Sequence, residues 1–430
     1  MTSKTKYSLV LLYDENNKYS IHSLVAAMEA EEVNIDTYLP RINDLHNIIG
    51  YLLKNYEKIV VGISLMTTQL PNIQPFLESL KELKRLFSSK FILVGGGPHV
   101  SGDPLGSLKH LGFDYLFIGE AEKSFTEFLK RMTDGCDVKG VKGIGYVEDD
   151  NVVINYNDEV LNLDKYPPIS VKYGLFNPIE VSRGCPYGCK YCQVSYIFGK
   201  YMRHRSLDTI LLHCKILIKK GINDLRFISP NILSYGGNGI KADFDKLSEF
   251  VNGVKELRNL GGKLYLGSFP SEVRPDFIDE DIIKLIKDVI TNKRISIGIQ
   301  SGSDRILKYL GRGHTVDDAL NAVDLLRRYN LSVDVDFILG LPNEELSDAL
   351  ETLQLIQKLI YLGGIRIHLH TYIPLPGTPL AKHKVKPLPD TVKSRLLKYL
   401  GRGVIFGNWL MQEKLALKIQ ELRDKGIILN

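Results

Sequence analysis

Residues 177–192 read NPIEVSRGCPYGCKYC, a short β-branched run followed at once by Cys185, Cys189 and Cys192. Soft thiolates this close together on one loop select zinc, copper(I) or an iron-sulfur cluster. Gly184, Pro186 and Gly188 let the loop curl so that the three sulfurs converge. A structural zinc site wants a fourth ligand, usually from a second cysteine pair. The two remaining cysteines, Cys136 and Cys214, are not placed to supply one. Three ligands for a cubane that needs four leave one iron open, and an open position is a catalytic design rather than a structural one.

Outward from this stretch the chain alternates strand and helix. Towards the C-terminus NPIEVSR, DLRFIS, KLYLGSF, RISIGIQ, VDVDFIL and IRIHLHTYI read as strands, separated by helical-period segments at 207–220, 244–259, 279–289, 316–329 and 346–362. Six βα units predict a partial (β/α)6 parallel barrel, since a full eight-stranded one takes about 250 residues. Towards the N-terminus YSLVLLY, NIDTYL, KIVVGIS, KFILVGG and FDYLFIG alternate with amphipathic helices such as 73–88. Near-continuous apolar strands between helices predict a doubly wound α/β sheet covered on both faces, with ligands at the carboxyl ends of its strands. Between the two, VKGIGYVEDDNVVINYND reads as a hairpin, and Tyr166-Pro167-Pro168 as an extended linker. The expected divisions are 1–139 for the first α/β domain, 140–168 for hairpin and linker, 169–380 for the barrel and 381–430 for a helical extension.

The 430 residues are 44% hydrophobic and 24% charged, which excludes disordered and collagen-like chains, and five cysteines are too few for a disulfide scaffold. No uncharged stretch reaches the roughly 20 residues of a membrane span, and no signal peptide is evident, so a cytoplasmic location is the expectation. The net charge of +5 is too small to imply nucleic acid. It is also uneven. Residues 381–430 hold 11 Lys and Arg against 4 Asp and Glu, so the tail is basic and the body is neutral.

Cys185-x-x-x-Cys189-x-Tyr191-Cys192 at the end of the first barrel strand resembles the signature of the radical S-adenosylmethionine (SAM) enzymes. The resemblance implies that the three cysteines hold a 4Fe-4S cluster, that SAM chelates the open iron, and that one electron from an external donor cleaves SAM to a 5′-deoxyadenosyl radical. Tyr191 would then lie near the adenine. The segment FPSEVRPD, with Glu272 and Arg274, resembles the part that gives polar contacts to SAM. Residues 298–315 resemble the fourth-strand motif, with Gln300 where the family usually writes Glu, and 371–379 resemble its closing loop. The second-strand Gly-Gly-Glu pattern is absent: the chain reads Phe-Ile-Ser229-Pro-Asn231, which makes Ser229 and Asn231 the substitutes.

The first domain carries Ser64-Leu-Met-Thr67, Gly95-Gly96-Gly97-Pro98-His99 and Gly119-Glu120 after successive strands. The Gly-x-Gly-x-x-Gly spacing of a dinucleotide site is missing. Set before such a barrel, the domain resembles the flavodoxin-like cobalamin-binding domain of cobalamin-dependent radical SAM enzymes. By that resemblance the glycines let the backbone approach the nucleotide tail, while Ser64 and Thr67 hydrogen-bond corrin side chains. His99 either approaches the corrin or caps its loop. The loop Asp14-Glu-Asn-Asn-Lys-Tyr19 lacks the histidine of Asp-x-His-x-x-Gly, so no axial ligand to cobalt comes from it. A scaffold that no longer binds corrin is the other reading.

The resemblance implies methylation of an unactivated carbon. One SAM would methylate cobalt, and a second would yield the radical that takes hydrogen from the substrate. Another radical reaction, such as ring closure or carbon-carbon coupling, and a non-catalytic iron-sulfur sensor or carrier are the alternatives. The expected partners are a small-molecule or lipid-like substrate and the electron donor. His368 and His370 point to one side of the last barrel strand, as proton carriers or as packed histidines. The tail combines Leu396, Ile405 and Trp409 with Lys393, Arg395 and Lys398. It either packs over the barrel or makes peripheral contact with an anionic membrane.

Overall fold

The computed structural model describes residues 7–176 and 178–430. They divide into two compact units. The first is the described part of Met1–Phe176 with Leu375–Gly377 and Lys418–Asn430; the second runs from the residues after 177 to Pro374 and takes in Thr378–Leu417.

In the first unit β1 (Tyr7–Leu11), β2 (Asp36–Tyr38), β3 (Lys58–Ser64), β4 (Phe91–Gly96) and β5 (Tyr115–Phe117) lie in the order β2-β1-β3-β4-β5, all parallel. This is the flavodoxin-like order, whose topological switch point lies between β1 and β3. β3 is buried at every position but its first, as a strand with helices on both faces must be. Leu9, Leu11, Val60 and Val94 pack with Phe117, Phe125 and Phe128 in one core. The Phe117 ring meets Phe125 and Phe128 edge-on at 5.0 and 5.3 Å. Such pairs each add about 0.5–1.5 kcal/mol beyond area burial.

The hairpin forms as expected from β6 (Ile144–Glu148) and β7 (Asn151–Ile154), turned by Asp149 and Asp150 at φ of 48° and 63°. It does not stand apart between the domains. β6 pairs antiparallel with β5, with Phe117 opposite Ile144, and extends the sheet to seven strands. Without it β5 would leave an unpaired edge.

In the second unit β8 (Ile179–Glu180), β11 (Asp224–Ile228) and β12 (Lys263–Tyr265) are parallel, while β9 (Ser182–Arg183) and β10 (Arg203–His204) form a small antiparallel ladder. The run 177–183, read as one strand, breaks at Val181, whose N–H donates to Ile228 O and whose carbonyl accepts from Arg205 N. A second parallel sheet holds β13 (Arg294–Gln300), β14 (Ser332–Leu339), β15 (Ile365–Thr371) and β16 (Ile405–Phe406) in chain order. The two sheets join where Ser296 N donates to Gly267 O at 2.7 Å and Val273 bridges Ile297. All six expected strands are present in sequence order, as a partial barrel requires.

β16 was not foreseen, and it changes the reading of the tail. Leu396, Ile405 and Trp409 are buried, and Phe406 stacks on His368 at 4.5 Å. Residues 418–430 belong to the first unit, where Leu429 N donates to Asp103 Oδ2 and Asn430 Nδ2 to Gly102 O. Leu396, Ile405 and Trp409 are thus spent inside the protein, while Leu397, Leu400 and Met411 stay exposed. Among the described residues no helix is long and apolar enough to cross a membrane.

Candidate functional site

The cysteine loop leaves β9 at Gly184, whose φ is +87°; a Cβ there would stand 2.2 Å from Tyr201 O. The loop is held mainly by its own backbone. Cys185 N donates to Gly199 O, Cys192 N donates to Cys189 O, and Ser195 Oγ donates to Cys185 O at 2.8 Å while accepting from Gly188 N. All three thiols are free. Burial pushes the Cys192 thiol up to about 11, so without a bound cation it would stay protonated at neutral pH.

Arg312 is the hub beside this loop. Its Nη1 donates to Tyr191 Oη at 3.2 Å and reaches Cys189 Sγ at 3.7 Å, its Nη2 donates to Gly298 O, and its Nε donates to His314 Nε2 at 3.3 Å. His314 can accept because burial, then Arg312 and Arg274, hold its imidazole down to about 3. Arg274 donates to Arg312 O, pairs with Asp276 at 3.1 Å and lies over the Tyr187 ring at 3.3 Å. Tyr191, Arg274 and the cysteines are therefore one contact network.

The remaining expected SAM contacts fall into two groups. Gln300, at φ +77° beside a bulge in β13, converges with Glu272 on Arg312: a Cβ on Gly298 would meet Gln300 Nε2 at 2.6 Å and Arg312 Nη2 and Glu272 Oε2 at 3.5 Å. Glu272 is exposed, yet desolvation by the surrounding protein, together with the Asp336 carboxylate that it hydrogen-bonds, pushes its carboxyl up to about 8. Ser229 and Asn231 sit just past β11, buried, with Asn231 N donating to Ser229 Oγ at 3.3 Å. Both polar atoms of the Asn231 carboxamide lack any protein partner. The hydroxyls of Ser268 and Ser271, past β12, are likewise buried and unpartnered. Buried polar groups are nearly always satisfied, so this set fits a polar ligand.

In the first unit the loops after β1 and β3 meet at the switch point. Asn17 Nδ2 donates to Leu12 O at 2.8 Å, and Gln69 Nε2 donates to Asp14 Oδ2 at 3.3 Å. The three glycines after β4 do different things. A Cβ on Gly95 would strike Phe113 at 2.9 Å, and one on Gly97 (φ +90°) would strike Ser64 Oγ at 2.7 Å and Leu65 N at 2.8 Å. Only Gly96 has room, its nearest neighbour being Phe117 O at 3.7 Å. Gly95 and Gly97 thus serve the protein's own packing. His99, next to Pro98, is buried with Nδ1 3.1 Å from Thr67 Oγ1. Burial, with Arg423 nearby, holds its imidazole down to about 4. His99 and Thr67 thus secure each other and the loop. Gly119 N donates to Ser101 Oγ, and Glu120 is half-buried beside it.

The family model of the radical SAM superfamily matches residues 179–356, which span the cysteine loop and the strands from β8 to β14. The chain belongs to the radical SAM superfamily. A B12 binding domain model matches residues 15–129, so this radical SAM enzyme carries an N-terminal B12 binding domain. It is similar to an uncharacterized methyltransferase of Pyrococcus horikoshii, 25% identical over 378 residues, 84% of this chain and 77% of that one. A tRNA-2-methylthio-N(6)-dimethylallyladenosine synthase of Sulfurihydrogenibium sp. is 31% identical over 298 residues, 67% of this chain and 63% of that one. Among solved structures, the radical SAM methyltransferase TsrM from Kitasatospora setae superposes with a TM-score of 0.69 at 16% identity, covering 88% of this chain and 77% of that one. The cobalamin-dependent radical enzyme OxsB gives 0.68 at 17%, covering 99% and 62%. At such identities these likenesses concern the fold.

The cofactors of the radical SAM enzyme follow from its two families: a 4Fe-4S cluster with SAM, and cobalamin. The donor chemistry fits. Three thiols on one curled loop suit an iron-sulfur cluster, and the unpartnered carboxamide of Asn231 and hydroxyls of Ser268 and Ser271 suit the polar groups of SAM. In the sequence Arg312 stands only within the 298–315 motif, and Asp336 carries no motif of its own. An arginine between Gly311 and Gly313 was the available signal for the first; Asp336 was hidden in an apolar strand.

Proposed function

We propose that this radical SAM enzyme transfers a methyl group to an unactivated carbon of a small-molecule substrate. The observation that carries the reading is the succession, in one chain, of a B12 binding domain and a radical SAM domain. The methyltransferase names of the Pyrococcus relative and of TsrM support it. Bound together, the cofactors supply a carbon radical generator and a methyl donor. The chain's own part is positional. Cys185, Cys189 and Cys192 would hold the cluster, Arg312 would hold Tyr191 in place beside the cysteine loop, and Asn231, Glu272 and Gln300 would orient SAM. Ser64, Gly96 and the Gly119–Glu120 turn would face the corrin.

The test needs no knowledge of the substrate. Anaerobically reconstituted protein, loaded with reduced cobalamin and given SAM, should form about one S-adenosylhomocysteine per chain and, under a low-potential reductant, 5′-deoxyadenosine. Loss of the first product with retention of the second would replace methyl transfer by another radical reaction. Loss of both, with the cluster intact, would make the chain an iron-sulfur sensor or carrier.

A further inference from the structure

We propose that Asp336, His368 and His370 bind a divalent first-row transition ion in the second unit, at a site separate from the cysteine loop. One donor atom from each residue lies within 4.8 Å of those of the other two. The set is built on paired strands: Asp336 of β14 stands in register with His368 of β15, and His370 follows two residues on, so all three share one face. His368 Nδ1 lies 2.8 Å from Asp336 Oδ1, and the two imidazoles meet edge-on at 4.1 Å.

Charge supplies a second, independent reason. Asp336 is buried, and among the described residues it has no lysine or arginine within ion-pair distance; its partners are His368 and the Glu272 carboxyl. The nearby Arg312 is taken up by Cys189, Tyr191 and Gly298. A carboxylate buried with only imidazoles and another carboxyl for partners has no permanent positive charge beside it, and a divalent ion would supply one. Two imidazoles and a carboxylate form the mixed N,N,O set that suits zinc, iron(II) or their neighbours rather than magnesium or calcium. Neighbouring side chains hold both rings: Phe406 stacks on His368 at 3° between ring planes, and Gln412 Nε2 lies 3.4 Å from His370 Nδ1.

Three protein ligands leave positions open on such an ion. They would take an oxygen or nitrogen of the substrate, which makes the substrate class a small molecule with a chelating carboxylate, hydroxyl or amine. Neither the site nor its test depends on methyl transfer.

The experiment uses the full chain with Cys185, Cys189 and Cys192 all changed to Ala, so that the cysteine loop cannot compete, equilibrated with zinc chloride and then dialysed. Metal analysis should find about one zinc per chain, and X-ray absorption should show nitrogen and oxygen neighbours with imidazole scattering and no sulfur. Adding His368→Gln and His370→Gln should weaken retention roughly tenfold or more while circular dichroism stays unchanged. A folded protein that retains no zinc, or retention that survives the double glutamine change, overturns the proposal. Should the triple alanine variant fail to fold, the cluster-loaded chain serves, with zinc counted beyond the iron and sulfide; there too the absence of a histidine-dependent zinc overturns it.

Discussion

Nη1 of Arg312 lies 3.7 Å from Sγ of Cys189, so a buried guanidinium faces one of the cysteines that would carry the cluster. A fixed positive charge and an N–H beside a thiolate ligand both favour the reduced, more negative cluster. Arg312→Gln should therefore move the cluster midpoint to more negative potential by on the order of tens of millivolts. Arg312→Lys, which keeps the charge but loses the fork, should fall between. A potentiometric titration followed by electron paramagnetic resonance measures this, and an unchanged midpoint with full iron content would refute it.

Asn231 offers a sharper separation of binding from folding. Its carboxamide makes no protein hydrogen bond, so Asn231→Ala leaves no protein partner orphaned. If the carboxamide serves SAM, binding should weaken about 5- to 30-fold, the worth of one or two lost hydrogen bonds. Thermal unfolding without ligand should move little. A large loss of stability with unchanged SAM binding would make the residue structural.

The strands were legible in the sequence because their apolar runs are nearly continuous and β-branched, as in KIVVGIS and RISIGIQ, and the cysteine loop because its spacing carries chemistry by itself. What stayed hidden depended on pairing between distant segments. The apolar stretch around Ile405 could not reveal that Ile367 and His368 of β15 would be its partners. The hairpin pattern gave no sign that β6 would pair with β5. Asp336 lies in VDVDFIL as one of two acids, Asp334 and Asp336, on the same side of the strand. Asp334 is bound by Arg294 and Arg366, whereas Asp336 meets the histidines. No local pattern separates those two fates.

Gly97→Ala tests the first unit's loop. With φ at +90° and Ser64 Oγ and Leu65 N at 2.7 and 2.8 Å from the new Cβ, the change must move the end of β3 or the start of the helix Gly97–Gly102. The backbone conformation alone costs about 1–3 kcal/mol. Lower stability of this unit and less retained cobalamin are expected, whereas Gly96→Ala should be mild in stability. Equal effects at the two positions would contradict the different roles that their surroundings give them.

The last prediction concerns acid. Burial holds the His99 imidazole down to about 4, against an ordinary value near 6.5 in the unfolded chain. The unfolded state therefore binds more protons between those two values, and stability rises with pH across that window. The His99 contribution is fully present above pH 6.5, falls as the pH drops towards 4 by at most about 1.4 kcal/mol per unit, and flattens below. His22, held down to about 4 by burial and by Lys18, adds a slope of the same sign. His99→Gln can still hydrogen-bond Thr67 but cannot titrate, so it should remove its share of the slope while leaving His22's. Hydrogen exchange of the β3 and β4 amides, followed by mass spectrometry from pH 7 to pH 4 and corrected for intrinsic rates, isolates the first unit, since the single tryptophan, Trp409, belongs to the second. A pH dependence identical in wild type and His99→Gln would mean that His99 titrates in the folded protein as it does in the unfolded chain, and its place beside Thr67 would then need a different account.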